Sequence, residues 1–188
     1  MFRKLFESLS LKSRKPIVHI DSALLKGASV DSSDPGIQPI DVNLQQGPSQ
    51  SWIDHAYPLK QVVIEIHGSA QTTLGHLIAE LDQVFLKLIK GETVGERSDG
   101  VVTHKYAYQE QVAGPSFFVE PVAFHPEAPT AGQALFVRLQ GTRHSNFPDI
   151  NNLIASVMNE INSKKTSGSA HDDDFGYSFA LVCAPNLN

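Results

Sequence analysis

Apolar residues first settle into a regular period at Val62, where Val62, Ile64 and Ile66 alternate with Glu65 and His67. A period of two predicts a strand with one face turned inward, and Gly68 ends it. The next apolar positions, Leu74, Leu77, Ile78, Leu81, Val84, Phe85, Leu88 and Ile89, recur at spacings of three and four. That spacing draws a wide apolar stripe along a helix of about four turns. Thr72 or Thr73 can cap its start and Gly91 can close its end. After a polar turn, Val101 to Tyr108 returns to strand chemistry through Thr103, Tyr106 and Tyr108.

The same plan recurs without a gap at a separation of 135 minus 62, or 73 residues. Leu135, Val137 and Leu139 fall on Val62, Ile64 and Ile66, and Gly141 falls on Gly68. Ile150, Ile154, Val157, Met158 and Ile161 fall on Leu77, Leu81, Val84, Phe85 and Leu88. Beyond the helix, Thr166, Gly168 and Asp172 fall on Thr93, Gly95 and Asp99, while Phe175 and Phe179 fall on Val102 and Tyr106. Any two strand, helix, strand units share apolar periodicity, but the unbroken register through the loop favours internal duplication of a βαβ unit. The shared Thr-x-Gly reads as a turn, with Gly95 and Gly168 supplying a positive φ. Between the copies, Phe117, Phe118, Val119, Val122 and Phe124 predict one more strand.

Two such units cannot bury their helix stripes alone, and laying both helices on one face of a mostly antiparallel sheet solves that. The expected fold is therefore α+β, a two-layer sandwich of ferredoxin-like or related type. Its domain spans 59–188, with repeat one at about 60–112 and repeat two at about 133–184. Residues 1–58 read as an N-terminal arm. Phe2, Leu5, Phe6 and Leu9 line one side of a short amphipathic helix, Ile17 to Ile20 form a short strand, and a Ser, Asp, Pro, Gln and Gly-rich linker runs from Gly27 to Pro58. Trp52, Ile53 and Tyr57 are the points where that arm would be pinned to the core.

Composition narrows the function classes. Fifteen Lys and Arg against 20 Asp and Glu give a net charge of -5, which argues against a broad nucleic-acid surface. No apolar run approaches the roughly 20 residues of a membrane span. The single cysteine, Cys183, excludes an intramolecular disulfide and fits a reducing cytoplasm. Its place in the run Phe179 to Cys183 predicts a small buried hydrophobe.

The sharpest local chemistry is His171, Asp172, Asp173 and Asp174, in the turn before the final strand. Three adjacent carboxylates repel one another and favour water, a cation or a basic partner. The spacing and terminal Glu of a calcium loop are missing, and only Asp172 has a counterpart in the first copy, Asp99. Eight histidines are scattered, with no His-x-x-x-His pair. Two groupings could still assemble in space: His67 with His144 at the strand-to-helix turns, or His104 with His171 beside Asp99 or Asp172. Ser69 stands in no nucleophile elbow.

These features read as a non-enzymatic interaction protein of the cytoplasm, an inhibitor, immunity factor or regulator. It would bind a protein partner, basic in character, through His171, Asp172, Asp173, Asp174 and Asp99. No cofactor or metal is expected. One alternative is a hydrolase whose histidine and carboxylate site is assembled across the two repeats. Another is an exported effector with a flexible N-terminal arm.

Overall fold

The computed structural model describes residues 48–118, 126, 129 and 131–184, all within the compact unit Leu44–Asn188. The expected helix over residues 1–11, the strand at Ile17 to Ile20 and most of the linker lie outside the described residues. The elements in chain order are α1 (Gln50–Ala56), β1 (Leu59–Gly68), α2 (Leu74–Ile89), β2 (Val94–Ser98), β3 (Val102–Val112), β4 (Gln133–Gly141), α3 (Phe147–Asn162), β5 (Ser167–His171) and β6 (Phe175–Cys183). Phe117 and Phe118 lie in a turn, and the rest of the strand expected there falls outside the described residues.

Every paired strand is antiparallel to its neighbour, and the six form one sheet in the order β2-β3-β1-β4-β6-β5. Alternation drives this arrangement. Val62, Ile64, Ile66, Leu135, Val137 and Leu139 all turn to one face, where they are fully buried. That face is covered by α2 through Leu77, Leu81, Val84 and Leu88 and by α3 through Ile150, Ile154, Val157 and Ile161. The fold is thus α+β, with its helices on one face of an antiparallel sheet. Thr73 caps α2, with its backbone N–H donating to Nδ1 of His76, and Gly91 leaves the helix at a φ of 86°. Asn146 caps α3 by accepting from the Asp149 N–H.

The two halves have the same element order, a strand, a helix and then a hairpin. Each therefore carries one strand more than a β-α-β unit, and the sheet has six strands where a β-α-β-β-α-β order would give four. The sheet order reads the same from either edge. At its centre Ile64 pairs with Val137, and these two are themselves 137 minus 64, or 73, apart.

The extra strands correct the expected Thr-x-Gly turns. Gly95 and Gly168 sit inside β2 and β5, and neither has a positive φ. Gly95 pairs with Tyr106 and Gly168 with Phe179. A Cβ at Gly95 would lie 2.5 Å from the Tyr106 ring, and one at Gly168 would lie 2.7 Å from the Phe179 ring. Glycine is needed because neighbouring side chains cross the edge strand, the Tyr106 ring at Gly95 and both Oε2 of Glu160 and the Phe179 ring at Gly168, not because the chain turns.

Cys183 also departs from expectation, for it is exposed. β5 begins at Ser167, opposite Ala180, so Cys183 pairs with Gln133 of β4 and, among the described residues, has no strand on its outer side. Among the described residues, no helix is long and apolar enough to cross a membrane.

Candidate functional site

The acidic run closes the β5–β6 hairpin, and its first carboxylate builds the turn. Oδ1 of Asp172 accepts from the N–H groups of Asp174 at 2.9 Å and Phe175 at 2.7 Å. This is the local Asx geometry for which aspartate is favoured in turns. The Asp174 carbonyl accepts from the Thr142 N–H at 3.1 Å and the Ser145 hydroxyl at 3.3 Å, which ties the turn to the start of α3.

α1 lies across the same end of the sheet. Trp52 Nε1 donates to the Asp173 carbonyl at 3.3 Å, and His55 Nε2 lies 3.2 Å from Oδ1 of Asp174. The Arg143 N–H donates to the Ala56 carbonyl at 2.8 Å. The His144 ring stands 5.1 Å from that of His55 and accepts at Nε2 from Arg143 Nε at 3.0 Å. Trp52 and Tyr57, read as pins from sequence, do hold this segment: the Tyr57 hydroxyl donates to the Gly114 carbonyl at 3.0 Å.

Between α1, the acidic turn and the segment after β3 runs a cleft of about 290 Å³. Its rim carries His171 and the three aspartates, and its walls include Trp52, Phe118 and Phe175. The His171 ring stacks on Phe118 at 5.2 Å. Ser116, Gln140 and Thr142 add buried polar lining. Gln140 is rigidly held: its Oε1 accepts from Gln61 Nε2 and the Phe117 N–H, both at 2.9 Å, and its Nε2 donates to the Ser116 hydroxyl at 2.8 Å. Buried amides bonded through both oxygen and nitrogen in this way fix one arrangement of the chain. The Asp173 carboxylate is exposed and makes no hydrogen bond or ion pair among the described residues.

Asp99 stands apart from the other four predicted site residues. It closes the β2–β3 turn, beside Val102, which pairs with Gly68 at the end of β1, whereas the acidic run adjoins Phe175, which aligns through Gly141 with Lys60 at its beginning. Eight strand residues, about 26 Å, separate those ends. Asp99 repeats the role of Asp172, accepting at Oδ1 from the N–H groups of Val101 at 3.0 Å and Val102 at 2.9 Å. The Val102 N–H chiefly, then that of Val101, with Arg97 adding to them, holds its carboxyl below the usual 3.8.

Neither proposed histidine pair forms. His67, near the end of β1, meets Phe136, while His144 stands at the other end with His55. His104 is buried in β3 and His171 is on the far edge strand, β5. Sequence periodicity does not report which end of a strand a turn residue reaches, because that depends on pairing between distant segments. His55 carried no sequence signal. Nor did Gln61 and Gln140, which stand among other polar residues, Lys60 and Glu65 in β1 and Gln133 and Arg138 in β4. Among the described residues, no group of three His, Cys, Asp or Glu side chains is arranged to hold a metal ion.

Comparison with protein-family models, curated proteins and solved structures finds no match to this chain.

Proposed function

We propose that this chain is a non-enzymatic binding protein that receives a basic side chain of a protein partner in the cleft beside the acidic turn. One observation carries the proposal: the carboxylates of the turn and the rings of Trp52 and Phe118 line the same cleft. A guanidinium or ammonium group gains charge attraction from the former and cation–π attraction from the latter. The ordered turn supports this role, because the backbone that carries Asp173 and Asp174 is already held by Asp172 and need not be ordered on binding. A role as inhibitor, immunity factor or regulator in the cytoplasm is in keeping with the lone cysteine and the acidic balance.

Trp52 is the single tryptophan and lines the cleft, so its emission reports occupancy. Titration with a tetra-arginine peptide is expected to change that emission saturably, more weakly as salt is raised. The double variant Asp173→Asn, Asp174→Asn is expected to bind about ten-fold more weakly. Equal responses to tetra-arginine and tetra-glutamate would reject the proposal.

A second reading, a hydrolase, draws on the convergence of His55, His144 and Asp174. There the Asp174 carboxylate would orient the His55 imidazole as a general base. Ester hydrolysis that disappears in His55→Ala, without any response of Trp52 to the basic peptide, would favour it over binding.

A further inference from the structure

The two edges of the sheet are built differently. In the β5–β6 ladder the Asp172 N–H donates to the Phe175 carbonyl and the Leu181 N–H to that of Thr166. Antiparallel pairing alternates between bonded and unbonded residues, so Ser167, Ser169 and His171 turn their N–H and C=O groups outward. In the β2–β3 ladder Asp99 and Thr93 are bonded in the same way, which leaves Val94, Glu96 and Ser98 facing outward. Among the described residues neither row has a strand beside it.

At the 73-residue offset Glu96 corresponds to Ser169 and Arg97 to Ala170. β2 thus carries a carboxylate and a guanidinium where β5 carries a hydroxyl and a methyl group. Charges on an edge strand oppose the approach of another strand. β5, Ser-Gly-Ser-Ala-His, has no such guard, no proline and no break in its register with β6. Its two ends are charged instead: the exposed Lys164 and Lys165 precede it, and the acidic run follows it. Side chains alternate along a strand, and Ala170 packs against the core. Ser167, Ser169 and His171 therefore project from the opposite face, where His171 stacks on Phe118 and lines the cleft.

We infer that β5 receives an extended segment of the protein partner as an added antiparallel strand, with a basic residue opposite His171 and an acidic residue about six positions later, beside Lys164 and Lys165. Resting on the cleft as the receiver of a basic side chain, this strand supplies the backbone that carries that side chain. Antiparallel pairing sets the order of charges, because the segment then runs from the acidic end of β5 to its basic end. It is also the pairing of every other neighbour in the sheet. The partner residues opposite His171, Ser169 and Ser167 exchange backbone hydrogen bonds with them, and their side chains lie on the face of His171 and the cleft.

The test titrates the full chain with the peptide Arg-Thr-Val-Thr-Val-Thr-Glu and follows Trp52 emission, which is expected to change saturably. With Arg opposite His171, the N–H groups of the two valines point at β5 and those of the first two threonines point away. Methylating both valine nitrogens is expected to weaken binding on the order of ten-fold, whereas methylating those two threonine nitrogens leaves it unchanged. Hydrogen exchange at the Ser169 N–H is expected to be fast in the free chain and slow in the complex. No response to the peptide, equal binding of the two methylated forms, or a Ser169 N–H already protected in the free chain would overturn the added strand. The cleft reading then stands if tetra-arginine still changes the emission. A chain that responds to neither tetra-arginine nor the peptide overturns both.

Discussion

The half from β1 to β3 and the half from β4 to β6 share a skeleton and differ in chemistry. Their common features are backbone requirements. Gly95 under Tyr106 matches Gly168 under Phe179, and the Asp99 turn matches the Asp172 turn bond for bond. The Thr93 carbonyl accepts from the Tyr108 N–H just as the Thr166 carbonyl accepts from that of Leu181. Where a side chain only has to fill a place, the halves diverge. The helix-to-strand contact is Lys87 with His104 in one and Glu160 with Tyr177 in the other, with the sign of the charge reversed. The exposed Leu86 and Ile89 of α2 correspond to Asn159 and Asn162 of α3. Val101, 48% exposed, stands where the second half has Asp174. The lesson is that the edge hairpins constrain backbone conformation tightly and leave the attached chemistry free, so of the two hairpin turns only the second brings an acidic run to the cleft.

Substitutions at matched positions sharpen this contrast. The largest effect is expected from Glu80→Ala, which leaves the buried Nδ1 of His104 without its acceptor at a cost of about 1–3 kcal/mol in urea unfolding. A smaller cost, about 1 kcal/mol, is expected for Tyr177→Phe, because Glu160 retains Lys165 at 3.1 Å. If the two costs came out equal, the first half's network would be no more demanding than the single bond of the second.

Tyr177→Phe also has a pH signature. Burial first, and then the bond to Glu160 and its charge, push the Tyr177 hydroxyl from 10.0 up to about 12. The unfolded chain therefore loses this proton before the folded one. The stabilisation is complete below pH 10 and disappears as the pH rises toward about 12. Over that interval the urea midpoint should fall more steeply for the unaltered protein than for Tyr177→Phe, and parallel curves would remove the Tyr177 assignment.

The smallest effect is expected from Asp99→Ala in the exposed first turn. Its lowered pKa means that the stabilisation is present above the ordinary value of 3.8 and is lost as pH falls through the folded value. Thermal melts of the variant and the unaltered protein should differ slightly at neutral pH and converge in acid. A gap that widened in acid would contradict the turn geometry.

Much of the fold was legible in the sequence because its signals are local. The alternation at Val62 to Ile66 and the stripe from Leu74 to Ile89 each depend only on near neighbours, and they specified β1 and α2. The 73-residue register of apolar positions specified their counterparts β4 and α3. The edge strands β2 and β5 were not legible. Val94-Gly-Glu-Arg-Ser and Ser167-Gly-Ser-Ala-His have no strand pattern of their own, and they are extended because β3 and β6 offer free hydrogen-bonding edges.

The candidate site divides in the same way. The sequence by itself determined the α+β layering and the acidic run in the turn before the last strand, since each rests on residues close together in the chain. Only the tertiary structure decided that Asp99 stands about 26 Å from the acidic run along the strands. It also decided that Trp52 and Phe118 wall the same cleft, and that His55 rather than His67 meets His144. Those facts depend on how β1 aligns with β4, and that alignment is fixed by burying all the apolar faces at once rather than by any local pattern.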